Sequence, residues 1–267
     1  MTSNDARLLA AILLAGVIGL FVGSFLNVVI YRTPRHLSIA GPRSFCPTCH
    51  HQLSWWENMP VVSWAALGGR CRACRQTISV QYPLVEIGTG ACFALVTWGW
   101  RGSLVSPGYC ALVAAMIAAG LIEYHATRAP LSVAAIGTGA ALALLLVAAG
   151  WQGHWRIAIG SIIGAGVAAG VLNFLRARDP ACADARGHGR TALLLAGCWC
   201  GGLGAVPTAI GAATWIAVYL LCMEGARWAA GDRRRGMPFR PRAYAVFGTP
   251  LVAALSLAMV VSFIAGV

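Results

Sequence analysis

The feature that most constrains this chain is a series of long apolar segments with almost no charged residues. Apolar runs of about 18 or more residues are typical of transmembrane helices, because a helix of that length crosses the hydrocarbon core of a bilayer. The mean hydropathy of +0.71 and the 10% share of charged residues agree with this class. The sequence therefore predicts an all-α polytopic membrane protein with about eight transmembrane helices, at 8–31, 82–100, 106–123, 130–150, 155–175, 191–204, 205–226 and 243–266.

The boundary between the sixth and seventh segments depends on glycine and proline. Gly201, Gly202, Gly204 and Pro207 interrupt the apolar stretch 191–226, which as one helix would far exceed a bilayer about 30 Å thick. These residues favour a tight hairpin, and a single helix over 191–226 is the alternative. The first segment is longer than the apolar core of a signal peptide, and no convincing cleavage site follows it. We therefore expect it to remain as a helix.

The arginines predict which connecting segments face the cytoplasm. All 20 basic residues are arginine, and if the N-terminus lies outside, 17 of them fall in cytoplasmic segments. The three on the other side are Arg7, Arg101 and Arg156. Cytoplasmic loops of membrane proteins are enriched in basic residues, so we expect both termini outside. The net charge of +12 then indicates contact with anionic membrane lipid, and no nucleic-acid recognition motif accompanies it.

The one sizeable hydrophilic segment contains two Cys-x-x-Cys pairs, in 46-CPTCHHQLSWWENMPVVSWAALGGRCRAC-74. Two such pairs are typical of a tetrahedral zinc site with four thiolate ligands. Disulfides are disfavoured in the cytosol, and four free thiols without metal are the alternative. We therefore expect a Zn²⁺ ion on Cys46, Cys49, Cys71 and Cys74.

Such a zinc site would be structural. Four thiolates leave no open coordination position for chemistry. A loop of this length has few aliphatic residues, and metal binding would supply about 10 kcal/mol or more of its folding free energy. We expect the neighbouring His50 and His51 to be surface residues. The predicted organisation is therefore a first transmembrane helix over 1–31, a cytoplasmic zinc-binding domain over 32–81 and a seven-helix membrane bundle over 82–267.

Parts of the sequence resemble a known family. The runs 23-GSFLNVVIYRTP-34 and 69-GRCRACRQTISVQYPLVE-86, together with the cysteine pairs, resemble the bacterial type 4 prepilin leader peptidases/N-methyltransferases, and 236-GMPFRP-241 resembles a later stretch of that family. The resemblance implies a multi-pass protein of the bacterial inner membrane, with its catalytic domain in the bundle over 82–267. It also implies leader cleavage of type 4 prepilin or pseudopilin precursors and N-methylation with S-adenosylmethionine, in pilus biogenesis or type II secretion.

The resemblance also places the family's two catalytic aspartates on this chain. The first aspartate precedes a proline by seven residues, and Glu123 stands at that spacing before Pro130. The second belongs to a Gly-x-Gly-Asp motif, which here reads Gly187-His188-Gly189-Arg190. The chemistry needs two carboxylates that share a proton. The two positions face each other in the family's fold, so the resemblance implies that Glu123 and Arg190 lie close together. Such a pair would hold the carboxylate ionised, and we therefore expect proteolysis to be weak or absent.

Several alternatives remain open at these positions. Glu123 is otherwise an interfacial acid that ends a helix, or a metal ligand together with His125 and His188. Asp179 and Asp184 are the other acids near Arg190 in sequence. The resemblance marks Glu86 as a substrate-binding or supporting residue, and a carboxylate that favours a helix N-terminus is the alternative. The alternative to an enzyme is a non-catalytic pilin-binding or assembly protein of the membrane.

Overall fold

A computed structural model describes residues 2–125 and 131–178, and this part of the chain is mainly helical. The predicted helices over the first five apolar segments are all present, whereas the last three segments lie outside the described residues. Short 3₁₀ turns occur at Thr33–Arg35 and Trp55–Asn58. The α-helices are α1 Ser3–Arg32, α2 Val62–Ala66, α3 Gln81–Gly99, α4 Ser106–His125, α5 Leu131–Gln152 and α6 Trp155–Arg178.

Two of the described helical stretches are long and apolar enough to cross a membrane. They are Ser3–Arg35 and Ala135–Gln152, judged by length and composition alone. The apolar stretch Ser106–Ile122 is shorter. The helical fold class is therefore confirmed over the described residues, and the count of eight spans stays a prediction.

The chain divides into two compact units. The first, Met1–Gly102, contains α1, the cysteine-rich loop and α3, and the second begins at Ser103 and contains α4, α5 and α6. Helix α1 begins with a capping box, in which Thr2 and Asp5 each accept a backbone N–H hydrogen bond from the other at 3.3 and 2.8 Å. This box satisfies N–H groups that an α-helix otherwise leaves unpaired at its start.

Glycines bring α1 and α3 into direct backbone contact. A Cβ atom on Gly19 would lie 2.7 Å from the Cα atom of Gly90, and a Cβ atom on Gly23 would lie 2.7 Å from the Cα atom of Glu86. Only glycine fits at such distances. The two α1 glycines form a Gly-x-x-x-Gly motif, 19-GLFVG-23, which is common where membrane helices pack closely. The motif is the signal in the sequence for this close helix contact.

The second unit is built on a similar close approach between α4 and α5. A Cβ atom on Gly108 would lie 2.7 Å from Cγ of Leu145, and Leu112 and Ile122 are fully buried in this unit. The side chain of Gln152, at the end of α5, accepts hydrogen bonds from the Ser103 hydroxyl at 2.8 Å and the Leu104 N–H at 3.1 Å. These bonds connect the end of α5 to the residues that lead into α4.

Candidate metal centre and the adjoining cavity

The four predicted zinc ligands meet at one point. The Sγ atoms of Cys46, Cys49, Cys71 and Cys74 all lie within 4.8 Å of one another. Cys46 and Cys74 are 3.8 Å apart at sulfur, and Cys49 and Cys71 are 3.9 Å apart. A tetrahedral zinc ion with bonds of about 2.3 Å requires sulfurs about 3.8 Å apart, so the cluster fits the ion that the spacing predicted.

The two cysteine pairs are built by the same backbone turn. In each turn, the N–H of the fourth residue after the first cysteine donates to that cysteine's carbonyl, as His50 does to Cys46 at 2.9 Å and Arg75 does to Cys71 at 3.0 Å. The first cysteine of each pair also donates its own N–H to the carbonyl of the fifth residue after it. An isolated β-bridge closes each turn, at Phe45–Gln52 and Arg70–Thr77. The two halves of the centre therefore have the same backbone structure, although their sequences share only the cysteines.

The thiols perturb each other's ionisation. Burial raises the pKa of Cys46, but hydrogen bonds from the N–H groups of Cys49 and Thr48 and from nearby thiols outweigh it and bring the pKa to about 6. The N–H of Gln76 lowers the pKa of Cys74, but partial desolvation and the neighbouring sulfurs raise it to about 11. Four sulfurs this close ionise together only around a cation, which is the chemistry a divalent metal supplies.

We expect the backbone at His50 and Arg75 to prefer glycine. These residues have φ values of 56° and 60°, in the left-handed region that glycine adopts without strain. His50→Gly should leave metal affinity and stability almost unchanged. His50→Val should lower stability by about 1 kcal/mol or more, since a β-branched residue is strained at this φ. Thermal unfolding of the two zinc-loaded variants measures their stability.

The matched pair at Arg75 is the control for that experiment. Arg75→Gly and Arg75→Val should reproduce the same order of stability, because the two turns have the same backbone. Equal stability of the glycine and valine variants at both positions would contradict the shared turn geometry.

A buried carboxylate supports the first cysteine turn. Glu57 is only 5% exposed, and its Oε2 atom accepts the Ser54 N–H at 2.8 Å and lies 3.3 Å from Nε2 of His51. The Ser54 N–H lowers the pKa of Glu57, burial raises it, and the His51 contact contributes to the net lowering. His50 is exposed and His51 half-buried, so the prediction of surface histidines holds for His50, whereas His51 has a structural contact.

The second turn rests on an indole ring. Trp64 donates its Nε1–H to the carbonyl of Ile78 at 3.2 Å, just after this turn. Its ring lies against Gly69, where a Cβ atom would be 2.9 Å from the indole and φ is +65°. A glycine is therefore required there both by space and by backbone conformation.

The loop is attached to the helices by buried polar side chains. Oε2 of Glu86 on α3 accepts the N–H of the loop residue Val61 at 2.7 Å, whereas Asn27 on α1 donates to the carbonyl of Tyr82 on α3 at 3.1 Å and joins the two helices. The Arg32 guanidinium, also buried, donates to the carbonyls of Ser38, Ile39 and Pro42 at 3.0, 3.4 and 2.6 Å. Glu86 thus faces protein, and it binds the loop that carries the four cysteines.

Val61 has a strained backbone at this attachment. Its φ of 61° and ψ of −48° are unusual for any β-branched residue, and such a conformation costs about 1–3 kcal/mol. The hydrogen bond to Glu86 is made by the same residue. The surroundings therefore hold Val61 in place against a local preference for extended backbone.

A cavity of about 330 Å³ lies between the loop, the end of α1 and the start of α3. Its walls include aromatic rings from both helices and the loop, and its buried polar groups include Asn27, Glu57 and Glu86. Cys46 and Cys71 line the same space, so the metal centre forms part of its wall. Cavities of this volume that combine apolar walls with a few polar groups are typical ligand sites.

The structure reaches only part of the predicted catalytic site. Glu123 belongs to the last turn of α4, Ser106–His125, in agreement with a helix that ends near this acid. Arg190, Gly187 and Gly189 lie outside the described residues, as do His188, Asp179 and Asp184. The predicted proximity of Glu123 and Arg190 therefore stays a prediction.

Comparison with known proteins identifies the region that carries the metal centre. The bacterial Peptidase A24 N-terminal domain matches residues 17–100. A prepilin leader peptidase/N-methyltransferase of Myxococcus xanthus (strain DK1622) is 48% identical over 130 residues, which are 48% of this chain and 38% of that protein. Proteins of the same name from Pseudomonas putida and Neisseria gonorrhoeae are 38% and 37% identical over 141 and 137 residues.

Each match covers only part of this chain and only part of the relative. They cover 45% and 42% of this chain for the Pseudomonas and Neisseria proteins, and 49% and 48% of those proteins. The chain thus matches half or less of the length of these curated relatives. No solved structure matches the chain.

Proposed function

Because residues 17–100 belong to the bacterial Peptidase A24 N-terminal domain family, we propose that this chain acts in the processing of type 4 prepilins. The observation that carries the proposal is the four-cysteine centre, which lies inside the matched domain and fits a structural zinc ion. The zinc ion would hold the loop folded between α1 and α3. Its four thiolate ligands leave no position for a substrate, so the metal takes no part in bond cleavage.

The proposed location is the bacterial inner membrane. Helix α1 exposes large apolar side chains along its length, including Leu13 and Leu14 at 61% and Phe21 and Phe25 at 52%. An apolar surface of this extent on a single helix suits lipid. The proposed orientation has the metal-binding loop and its arginines in the cytoplasm, with both chain termini outside, because basic loops stay inside.

The proposed substrates are type 4 prepilin or pseudopilin precursors, in pilus biogenesis or type II secretion. In this proposal the chain is a family member that lacks both catalytic aspartates, with Glu123 and Arg190 at their positions. An arginine beside a carboxylate favours its ionised form, so the pair lacks the proton that one acid must donate during peptide hydrolysis. Methyl transfer with S-adenosylmethionine does not require that pair and is the activity we propose the chain can retain.

A non-catalytic role is the second candidate function, and Arg190 is the observation that favours it. A protein that binds pilin precursors without cleaving them would need the loop and the helices but no acid dyad. The two candidates differ in one result, which is whether the N-terminus of a pilin gains a methyl group.

We expect the unmodified chain to remove little or no leader from a co-expressed prepilin. The host should lack its own prepilin peptidase, and mass spectrometry of the pilin N-terminus would measure both cleavage and methylation. The double variant Glu123→Asp/Arg190→Asp should raise cleavage, since it supplies two carboxylates able to share a proton. An established prepilin peptidase serves as the positive control.

A pilin that already lacks its leader separates the two candidate functions. Methylation of this pilin by the unmodified chain would support the enzyme, whereas binding without methylation would support the non-catalytic role. Efficient leader removal by the unmodified chain would overturn the proposed loss of proteolysis. Glu86, Asp179 and Asp184 would then be the acids to replace.

A further inference from the structure

Glu86 is a buried carboxylate that has no cationic partner among the described residues. It is 7% exposed, and its contacts are the Val61 N–H and the side chain of Ser24, neither of which carries a charge. The ion pair within residues 2–125 and 131–178 joins His51 to Glu57 instead. A carboxylate accepts about four hydrogen bonds, so two partners leave Glu86 with unused capacity.

The cations that line the same cavity are engaged elsewhere. Arg32 donates to the carbonyl oxygens of Ser38, Ile39 and Pro42, and the Arg72 guanidinium lies 4.9 Å from the centroid of a Trp56 ring. No described cation therefore pairs with the Glu86 carboxyl group. Burial disfavours the ionised form of such a group, and a positively charged ligand would favour that form by pairing with it.

The cavity walls suit a cation as well. Four aromatic side chains line the space that contains Glu86, namely Tyr31, Phe45, Trp64 and Tyr82. Aromatic faces attract organic cations through the ring quadrupole, and the attraction grows when water is excluded. A carboxylate enclosed with aromatic rings is the arrangement by which proteins hold ammonium, guanidinium and sulfonium groups.

We propose that this cavity binds an organic cation, with its positive group paired to Glu86 and its apolar part against the aromatic rings. Two sources have this chemistry: a lysine or arginine side chain of a polypeptide, and the sulfonium group of a small molecule such as S-adenosylmethionine. The choice of these two sources rests on the proposed function. The site itself rests on the cavity, the buried carboxylate and the rings.

Binding to the purified, zinc-loaded full chain in lipid nanodiscs tests the proposal directly. Isothermal titration would compare S-adenosylmethionine with its neutral thioether, S-adenosylhomocysteine. A second arm would compare a short arginine-containing peptide with the same peptide carrying neutral citrulline. We expect at least one cation to bind about 10-fold or more tightly than its neutral counterpart. The arm that shows this difference identifies the source.

Two variants assign the binding to this site. Glu86→Gln keeps an acceptor for the Val61 N–H but removes the charge, and it should weaken cation binding about 10-fold or more while the neutral counterpart is unaffected. Tyr82→Leu removes one ring, leaves the carboxylate, and should weaken cation binding by a smaller factor. Asp5→Asn removes an acid at the start of α1 and should leave binding unchanged.

Zinc content and thermal unfolding report whether each variant is folded. If Glu86→Gln loses its zinc, the comparison of charged and neutral ligands in the unmodified chain and the Tyr82→Leu variant decide the question. Equal binding of charged and neutral ligands, or cation binding that folded Glu86→Gln retains in full, would overturn the proposal, as would the absence of binding in both arms. None of these readouts requires leader cleavage or methylation, so a failure of the proposed function is seen separately.

Discussion

Replacing Cys71 with serine should remove zinc from the protein and unfold the loop between α1 and α3. Cys71 is buried, its sulfur lies 3.9 Å from that of Cys49, and its backbone N–H and carbonyl both belong to the second cysteine turn. Structural zinc sites of this kind contribute about 10–16 kcal/mol to folding. No other interaction in the loop is of that size, since single hydrogen bonds contribute about 0.5–1.5 kcal/mol each.

Metal content and limited proteolysis measure this result. Elemental analysis should find about one zinc per chain in the unmodified protein and far less in Cys71→Ser, and a protease should cut the variant within residues 44–79. The helical signal in circular dichroism should change little, because the contact between α1 and α3 is made by their own glycines and does not involve the loop.

Cys92 offers a matched control for the same substitution. It lies on α3, is half-buried and is not part of the four-sulfur cluster. Cys92→Ser should keep its zinc and resist the protease. A Cys71→Ser variant with a full complement of zinc and an intact loop would mean that the metal is not held by these four sulfurs.

The four-cysteine cluster was predictable because its information is local. A Cys-x-x-Cys turn brings two sulfurs to one side by backbone geometry alone, and two such turns supply the four sulfurs that a tetrahedral metal ion requires. Burial, with Cys46 and Cys71 inside and Cys49 and Cys74 exposed, depends on how the loop meets the helices. The left-handed backbone at His50 and Arg75 has no signal in the sequence, since neither residue is glycine.

The helices were predictable for a similar reason, and their contacts were not. Apolar runs reveal where helices form. The end of α1 and both ends of α3 agree with the predicted segments within one residue, whereas α1 begins five residues earlier than predicted. Which faces meet depends on side chains far apart in sequence. The motif 19-GLFVG-23 did signal a close helix contact, but its partner Gly90 is visible only in the folded chain.

Glu86 illustrates what sequence cannot resolve. Its position near the start of a helix suggested a carboxylate that stabilises the helix N-terminus. In the structure its Oε2 atom instead accepts the N–H of Val61, 25 residues earlier, where the backbone is strained. That bond and the cavity beside it arise from the way the loop folds back on α3, which no local pattern encodes.

Replacing Gly23 with leucine should destabilise the first unit strongly. Even a methyl group at this position would place a Cβ atom 2.7 Å from the Cα of Glu86 and 3.0 Å from the carbonyl oxygen of Val85, so α3 must move away from α1. Overpacking of this kind costs about 1–3 kcal/mol or more, and here both neighbours are backbone atoms that cannot rotate aside.

Gly88 is the matched control, because it lies on the same helix pair and a Cβ atom there would meet nothing within 4 Å. Gly88→Leu should be neutral or slightly stabilising, since leucine favours a helix by about 0.5–1 kcal/mol relative to glycine. Thermal unfolding of the two variants in the same detergent should therefore separate them by several degrees. The Gly23 variant should also weaken the cation binding proposed for Glu86, because the shift of α3 would carry that carboxylate away from the Val61 N–H. Equal stability of Gly23→Leu and Gly88→Leu would mean that α1 and α3 do not meet at this glycine.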